Sequence, residues 1–253
     1  MKIFGEAGRW FFAIAIGGFG VQQFIYKGFV QGITIVPDWM PAHLLWSYAT
    51  GALLIGCAIG IALREKAQFA ALVTGMLFLV IVLILHLRQF SEIIHRNGPE
   101  RTRAFETLAL CAGAFILAGV VRDTRSDSSS AGFTGALAEV GRYIFAFCLL
   151  VFGYDHLPIA KFIASLVPAW MPWHLFWAYF TACGFLAAGL SIATNIQVRL
   201  SASLLGVMFL LWVLILHGPR VAANPHGLGE WNSLFVALAM SGISFTLAAK
   251  QSN

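Results

Sequence analysis

The sequence predicts an all-α fold: a polytopic integral membrane protein whose eight transmembrane helices form two parallel four-helix repeats. Three observations lead to this prediction. Of the 253 residues, 59% are hydrophobic and only 11% are charged, with a mean hydropathy of +0.82, unlike a soluble domain. Apolar runs of about 20 residues, long enough to cross a bilayer as helices, recur along the whole chain. The motifs of the first half return in the second half in the same order.

Polar and turn-forming stretches such as "REK" at 64–66 and "ANPHGLGE" at 223–230 separate the apolar runs. The predicted helices cover 10–29, 43–63, 68–87, 104–121, 142–160, 173–193, 200–218 and 231–249. Between the fourth and fifth helices, a Ser- and Gly-rich stretch of mixed charge is typical of a flexible linker. The predicted organisation is a first membrane repeat over 1–121, a linker over 122–140 and a second membrane repeat over 141–253.

One segment shows the repeat most clearly. Residues 36–48 read "VPDWMPAHLLWSY" and residues 167–179 read "VPAWMPWHLFWAY", identical at nine of thirteen positions and 131 residues apart. "VLILH" at 82–86 recurs unchanged at 213–217, and "GRW" at 8–10 corresponds to "GRY" at 141–143. Four spans in each copy bring both copies into the membrane from the same side, so the repeat is predicted to be parallel.

Lys and Arg indicate the orientation. Nine lie on the side that carries the N-terminus and seven on the other, a bias that favours cytoplasmic N- and C-termini in a multi-pass protein of the inner membrane. The first apolar run is followed by seven more, so it is interpreted as a retained span and not as a cleaved signal peptide. The basic residues flank apolar runs, which fits a lipid bilayer as partner and gives no indication of nucleic acid.

All seven histidines map to the side opposite the N-terminus. Two of them begin predicted helices, after a proline suited to the first turn and before a tryptophan three residues on: His43 with Trp46, and His174 with Trp177. Two interpretations stay open, an anchor at the membrane interface and a set of side chains lining a ligand pocket. His86 and His217 end long apolar spans, where an ionisable residue usually faces the bundle interior or a water-filled cavity.

The two copies differ most where helix five ends. Aligned on "FG" at 19–20 and 152–153, Asp155 and His156 of the second copy correspond to Gln22 and Gln23 of the first. A carboxylate near a membrane histidine can orient it, raise its pKa or relay protons. This pair is therefore the first choice for a functional site.

Other chemistry is weakly indicated. A transition metal or a haem is a less favoured alternative, because no HxxxH or HExxH spacing occurs and the ligands would have to come from different helices. Phosphate loops, GxSxG and dinucleotide motifs are absent from the sequence. The four cysteines form no CxxC pair and are predicted to be small core residues.

Several of these features together resemble the DoxX-like family of small membrane proteins. They are four spans per unit, the "GRW" start, the "P.WMP.H..W.Y" segment, a third span closing on a polar residue and a fourth that includes "RAFETLALCAGAF". One family unit covers about half of the chain, so the protein resembles two units fused in tandem. The resemblance implies an inner-membrane protein associated with redox chemistry, similar in one member type to the DoxD subunit of a thiosulfate:quinone oxidoreductase. It implies no catalytic residues at these positions.

The favoured function is a redox-linked subunit that binds a quinone or another lipophilic small molecule near the periplasmic face. The candidate catalytic residues are Asp155 and His156, and the candidate ligand-binding residues are His86, His217, His43, His174, Gln22, Gln23, Trp46 and Trp177. A membrane or periplasmic redox partner would supply the electron carrier. The alternatives are a transporter or permease for a small solute or lipid, and a structural or assembly subunit of a membrane complex.

Overall fold

The computed structural model describes residues 2–30, 41–86, 99–121 and 128–250, and within these ranges the chain is helical, without strands. The helices are α1 (Lys2–Ile25), α2 (His43–Ala62), α3 (Ala67–Ile81), α4 (Pro99–Val120), α5 (Ser128–His156), α6 (Ala160–Leu166), α7 (His174–Thr194), α8 (Val198–Trp212), α9 (Gly218–Ala223) and α10 (Leu228–Lys250). Each of α3 and α8 continues into a π-helical turn, Val82–His86 and Val213–His217. The all-α prediction is confirmed for the described residues.

Seven stretches of these helices are long and apolar enough to cross a membrane. They are His43–Ala62, Arg64–Ile84, Arg101–Val120, Gly132–His156, His174–Thr194, Val198–Ala223 and Leu228–Lys250. The 24-residue α1 is not among them, since Glu6, Arg9, Gln22 and Gln23 lower its apolar character. The composition and these helices together indicate a membrane protein.

Within the described residues, eight long helices form a closed ring. Around it, α1 packs on α2, α2 on α3, α3 on α4, α4 on α5, α5 on α7, α7 on α8, α8 on α10 and α10 on α1, while α4 also packs on α10 across the middle. The first helix of each half therefore packs chiefly on the last helix of the other half. One continuous hydrophobic cluster runs through both halves as a result, and the boundary between the repeats in sequence does not separate two cores.

Glycine allows the exchanged helices to approach closely. A Cβ on Gly8 of α1 would lie 2.7 Å from the carbonyl oxygen of Gly242 on α10, and a Cβ on Gly141 of α5 would lie 2.6 Å from that of Ala112 on α4. Small residues at such contacts let helix backbones meet where apolar burial alone gives little drive in lipid. The two contacts are equivalent, which makes the internal repeat visible in the packing.

Two buried arginines repeat the same pattern at the end of the ring that carries the start of α1, called here the proximal end. Arg9 donates to the carbonyls of Ile61 and Ala62 at the end of α2, and Arg142 donates to that of Ile192 on α7. Each also pairs with a glutamate three residues earlier, Glu6 at 2.6 Å and Glu139 at 2.9 Å. These guanidinium groups satisfy carbonyls that have no partner within their own helix.

Three details differ from the sequence prediction. Helix α5 begins at Ser128, so residues 128–140 of the predicted linker are helical, while 122–127 lie outside the described residues. The prolines before α2 and α7 precede the helix instead of forming its first turn, because Ala42 (φ 56°) and Trp173 (φ 57°) take the left-handed conformation just before it. Cys57, Cys111 and Cys148 are buried as predicted, but Cys183 is exposed on the surface of α7.

Candidate functional site

Asp155, the carboxylate among the predicted site residues, binds an arginine from the other half of the chain. Arg101 of α4 donates from Nε to Asp155 Oδ2 at 3.2 Å and from Nη2 to Oδ1, a two-pronged contact between nearly buried side chains. The pair joins α4 to α5 at the distal end of the ring, where α1 and α5 end. Both carboxylate oxygens are engaged with a cation that stays charged, which suits a structural clamp better than a general base.

His156 does not share that contact. Its Nδ1 lies 2.8 Å from the carbonyl oxygen of Phe152, one turn earlier on α5. Its ring meets Phe185 of α7 edge-on, with the centroids 5.1 Å apart. The adjacent Asp155 and His156 therefore face different neighbours, as successive residues of a helix do.

Gln22 and Gln23 occupy the equivalent place on α1, and both are buried. Gln23 Oε1 accepts a hydrogen bond of 2.6 Å from Thr50 of α2. Gln22 Nε2 makes a long contact of 3.5 Å with the carbonyl oxygen of Leu228 at the start of α10. A neutral polar contact thus replaces, at the α1–α10 interface, the ion pair of the α4–α5 interface.

His217 ends the π-helical turn that follows α8. It is partly buried, and its Nδ1 has no hydrogen-bond partner within the described part of the chain. Close by, Arg220 of α9 donates to both carboxylate oxygens of Glu230 on α10, at 2.8 and 3.0 Å. The other copy of this histidine, His86, ends the first π-helical turn, but the position of its side chain lies outside the described residues.

The histidines and tryptophans at the two helix starts have different surroundings. His174 Nε2 lies 3.1 Å from the carbonyl oxygen of Pro168, and Trp177 Nε1 donates to that of Pro172 at 3.0 Å. On α2, His43 and Trp46 are exposed, Trp46 to 48%. Both histidines are the first residue of their helix, so the prediction that they fall in the first turn is confirmed.

The predicted residues whose side chains are described therefore lie at one end of the ring, and their contacts run to different helices. Gln22 and Gln23 lie between α1, α2 and α10; Asp155 lies between α4 and α5; and His217 lies beside α9 and α10. Among the described residues, no three His, Cys, Asp or Glu side chains group closely enough to hold a metal ion.

A groove lies between α7 and α8 on the outer surface of the ring. Its volume is about 820 Å³, within the size range of small-molecule sites. Its walls are almost wholly apolar and include Phe180, Gly184, Leu204, Met208 and Leu211. Trp177 and Trp212 line its distal part, with their rings edge-to-face and 6.3 Å apart.

The groove has polar groups at its proximal end, and these are mostly engaged. Ser191 donates to the carbonyl of Ile196 and lies 2.7 Å from Ser201 Oγ, while Thr194 donates to that of Leu190 at 2.8 Å. At the distal end, Trp212 Nε1 is buried and has no hydrogen-bond partner among the described residues. Sequence reasoning identified Trp177 but missed the groove, which depends on how far apart α7 and α8 stand.

A sequence signal for the groove exists in the comparison of the copies. Shifted by 131 residues, Gly184 corresponds to Leu53 of α2, and Trp212 corresponds to Ile81 of α3. The cavity beside α2 is smaller, about 640 Å³, and its lining at the proximal end includes Glu65 and Lys66. Glycine for leucine and tryptophan for isoleucine thus accompany the larger apolar groove of the second copy.

Comparisons of the chain with protein-family models, with curated proteins and with solved structures each found no match.

Proposed function

We propose that the protein is a multi-pass inner-membrane protein that binds a quinone or a similarly lipophilic molecule in the groove between α7 and α8. The single observation that carries this proposal is the groove itself, since an apolar cavity of about 820 Å³ on the outer surface of a membrane bundle is open to molecules dissolved in the bilayer. In the proposal α1 is the eighth span, the two repeats run parallel, and the distal end is periplasmic.

A redox-linked role is part of the same proposal. Quinone chemistry couples electrons to protons, and an electron carrier would come from a membrane or periplasmic partner. The resemblance to DoxX-like proteins supports this role through the repeated "P.WMP.H..W.Y" segment, whose second copy contributes Met171 and Trp177 to the groove. Asp155 keeps α4 and α5 together, and His156 is the group that would handle protons.

The first experiment measures bound ligand. The full chain is purified in mild detergent, and the lipid extract is analysed by mass spectrometry for quinones; binding of a decyl-tailed benzoquinone is then measured by equilibrium dialysis. Gly184→Leu places in the groove the residue that the other copy carries, close to the flexible end of Met208, and we expect at least a tenfold loss of affinity. Gly56→Leu on α2, where an added Cβ meets nothing within 4 Å, is the matched control and should bind normally.

Two outcomes would overturn the proposal. One is the absence of both co-purified quinone and measurable binding in the wild-type chain. The other is an equal quinone affinity of Gly184→Leu and wild type, because a ligand whose binding is unchanged when the groove is filled must bind elsewhere. His156→Ala tests the redox part separately, since it should slow quinone-linked electron transfer with the partner while leaving binding intact.

Transport of a small solute is the second candidate, and one observation favours it. Both copies interrupt a spanning helix with a π-helical turn at the same "VLILH" sequence, and such turns are frequent at functional sites. Uptake of candidate solutes into proteoliposomes tests this alternative, and uptake no faster than in protein-free liposomes for every solute class would exclude it.

A further inference from the structure

The lining of the α7–α8 groove contains one buried donor without an acceptor. Trp212 Nε1 has no hydrogen-bond partner among the described residues, although it is removed from solvent. An indole N–H can only donate, and an unpaired buried donor costs about 1–3 kcal/mol in a protein interior. In a bilayer the cost persists, because there is no water in the hydrocarbon region to accept the bond.

The other hydrogen-bonding side chains that line the groove do not relieve this donor. Trp177 Nε1 already donates to the Pro172 carbonyl at 3.0 Å, although its ring lies against that of Trp212. Ser191 and Thr194 donate to backbone carbonyls at the opposite end of the groove. At the distal end of the groove, therefore, the Trp212 N–H lacks a hydrogen-bond acceptor among the described residues.

The first copy has no such donor at the equivalent position. Ile81 takes the place of Trp212 and is buried, with no polar atom in its side chain. Since the rest of the scaffold repeats, the tryptophan is not required to build a copy of this fold. Trp212 therefore distinguishes the groove of the second copy from the equivalent place in the first.

We infer that Trp212 determines ligand specificity: a shift of its ring brings Nε1 from its covered position to the groove. There Nε1 donates a hydrogen bond to a carbonyl oxygen at one end of a lipophilic ligand, whose tail lies along the apolar wall of α7 and α8. This inference rests on the proposed function and narrows the ligand class to carbonyl-bearing lipophiles. Both an oxidised quinone and an ester-linked lipid carry such an oxygen. A plain hydrocarbon fills the same walls but leaves the donor unmet.

The test compares two ligands of similar shape on three forms of the full chain. Equilibrium dialysis measures the affinity of a decyl-tailed benzoquinone and of decylbenzene for wild type, Trp212→Phe and Trp177→Phe. Trp212→Phe keeps an aromatic ring but removes the unpaired N–H, so it should weaken quinone binding about tenfold, the effect of one hydrogen bond, and leave decylbenzene binding within a factor of two. Trp177→Phe is the matched control, because its N–H is already engaged, and it should change both affinities by the same factor.

Retained decylbenzene binding shows that the Trp212→Phe variant is folded, so a loss of quinone binding cannot be due to unfolding. A third arm compares a short ester-linked phospholipid with its ether-linked analogue. If Trp212→Phe weakens the binding of the ester lipid alone, the carbonyl that Trp212 recognises is that of a lipid. If it weakens the binding of the quinone, the carbonyl is that of a quinone.

The failures of this inference and of the proposed function are distinguishable. If wild type binds neither quinone nor decylbenzene, the groove is not a lipophile site and both fail. If Gly184→Leu abolishes the binding of both ligands while Trp212→Phe affects them equally or not at all, the groove site stands and the role of Trp212 is overturned.

Discussion

The two copies of the repeat make equivalent arginine and glycine contacts at the proximal end, whereas their polar contacts between the first and last helices differ at the distal end. Arg9 and Arg142 reach the ends of equivalent helices, and Gly8 and Gly141 make equivalent close contacts. At the distal end, the ion pair of Arg101 with Asp155 corresponds to a long contact between Gln22 and a backbone carbonyl. The repeated residues build the ring, and the residues that diverged between the copies are those that distinguish one interface and one groove from their counterparts.

The greatest loss of stability is expected from removing the Arg101–Asp155 ion pair. Arg101→Leu leaves the Asp155 carboxylate buried without its cation, which should lower the free energy of unfolding by about 3–5 kcal/mol. Gln22→Leu, at the equivalent interface, removes only a 3.5 Å contact and should cost below about 1 kcal/mol. Thermal and denaturant unfolding in detergent measures both.

The paired removal Arg101→Leu with Asp155→Leu is the control for that experiment. It should recover most of the loss, because no uncompensated charge stays in the interface. Equal small losses in Arg101→Leu and Gln22→Leu would show that the two interfaces do not differ in strength.

An intermediate loss of stability is expected at the two equivalent buried arginines. Arg9→Met and Arg142→Met each remove a buried cation that binds carbonyls at a helix end, so each should cost about 1.5–3 kcal/mol, and the two losses should be similar. Arg199→Met, at an exposed arginine on α8, is the control and should change stability little. A loss at one position more than twice that at the other would show that the scaffold is not shared.

The smallest effect concerns two equivalent threonines. Thr50 donates to Gln23 Oε1 at 2.6 Å and also lies within hydrogen-bond reach of the Trp46 carbonyl. Among the described residues, Thr181 donates only to the Trp177 carbonyl, at 2.9 Å. Thr50→Val should therefore cost about 0.6 kcal/mol, as for typical side-chain bonds between membrane helices, and Thr181→Val less. Unfolding midpoints measured side by side decide this, and a larger loss for Thr181→Val would contradict the assignment.

Sequence reasoning was strongest where the signal was local. Apolar runs gave the long helices, and the repeated "VLILH" marked the place where both π-helical turns occur. It was weaker for the fourth helix of each copy. In the first copy, Cys111 donates to the Gly75 carbonyl and the Phe115 ring lies against Gly75. In the second copy, Ser241 donates to the Gly206 carbonyl and the Phe245 ring lies against Gly206. These pairs align the fourth helices of the two copies by a shift of 130 residues, one fewer than the shift of the repeated "VLILH".

The candidate site divides in the same way. The sequence drew attention to Asp155 through its difference from the first copy, but the partner Arg101 lies 54 residues away on a helix that the repeat assigns to the other half. Trp177 was predicted as a ligand-binding residue and lies in the groove, while the importance of Gly184 and Trp212 followed only from the space between α7 and α8.

Apolar length and motif spacing are properties of neighbouring residues, so the sequence alone predicts an all-helical chain with an internal repeat and with segments long and apolar enough to span a membrane. Only the tertiary structure decided that α1 packs on α10 and α4 on α5, and that α7 and α8 leave a groove between them. The physical reason is that lipid-facing and helix-facing residues are alike in apolar character. Which helices pair is then decided by the fit of small residues such as Gly8 and Gly141 and by a few buried polar contacts between distant parts of the chain.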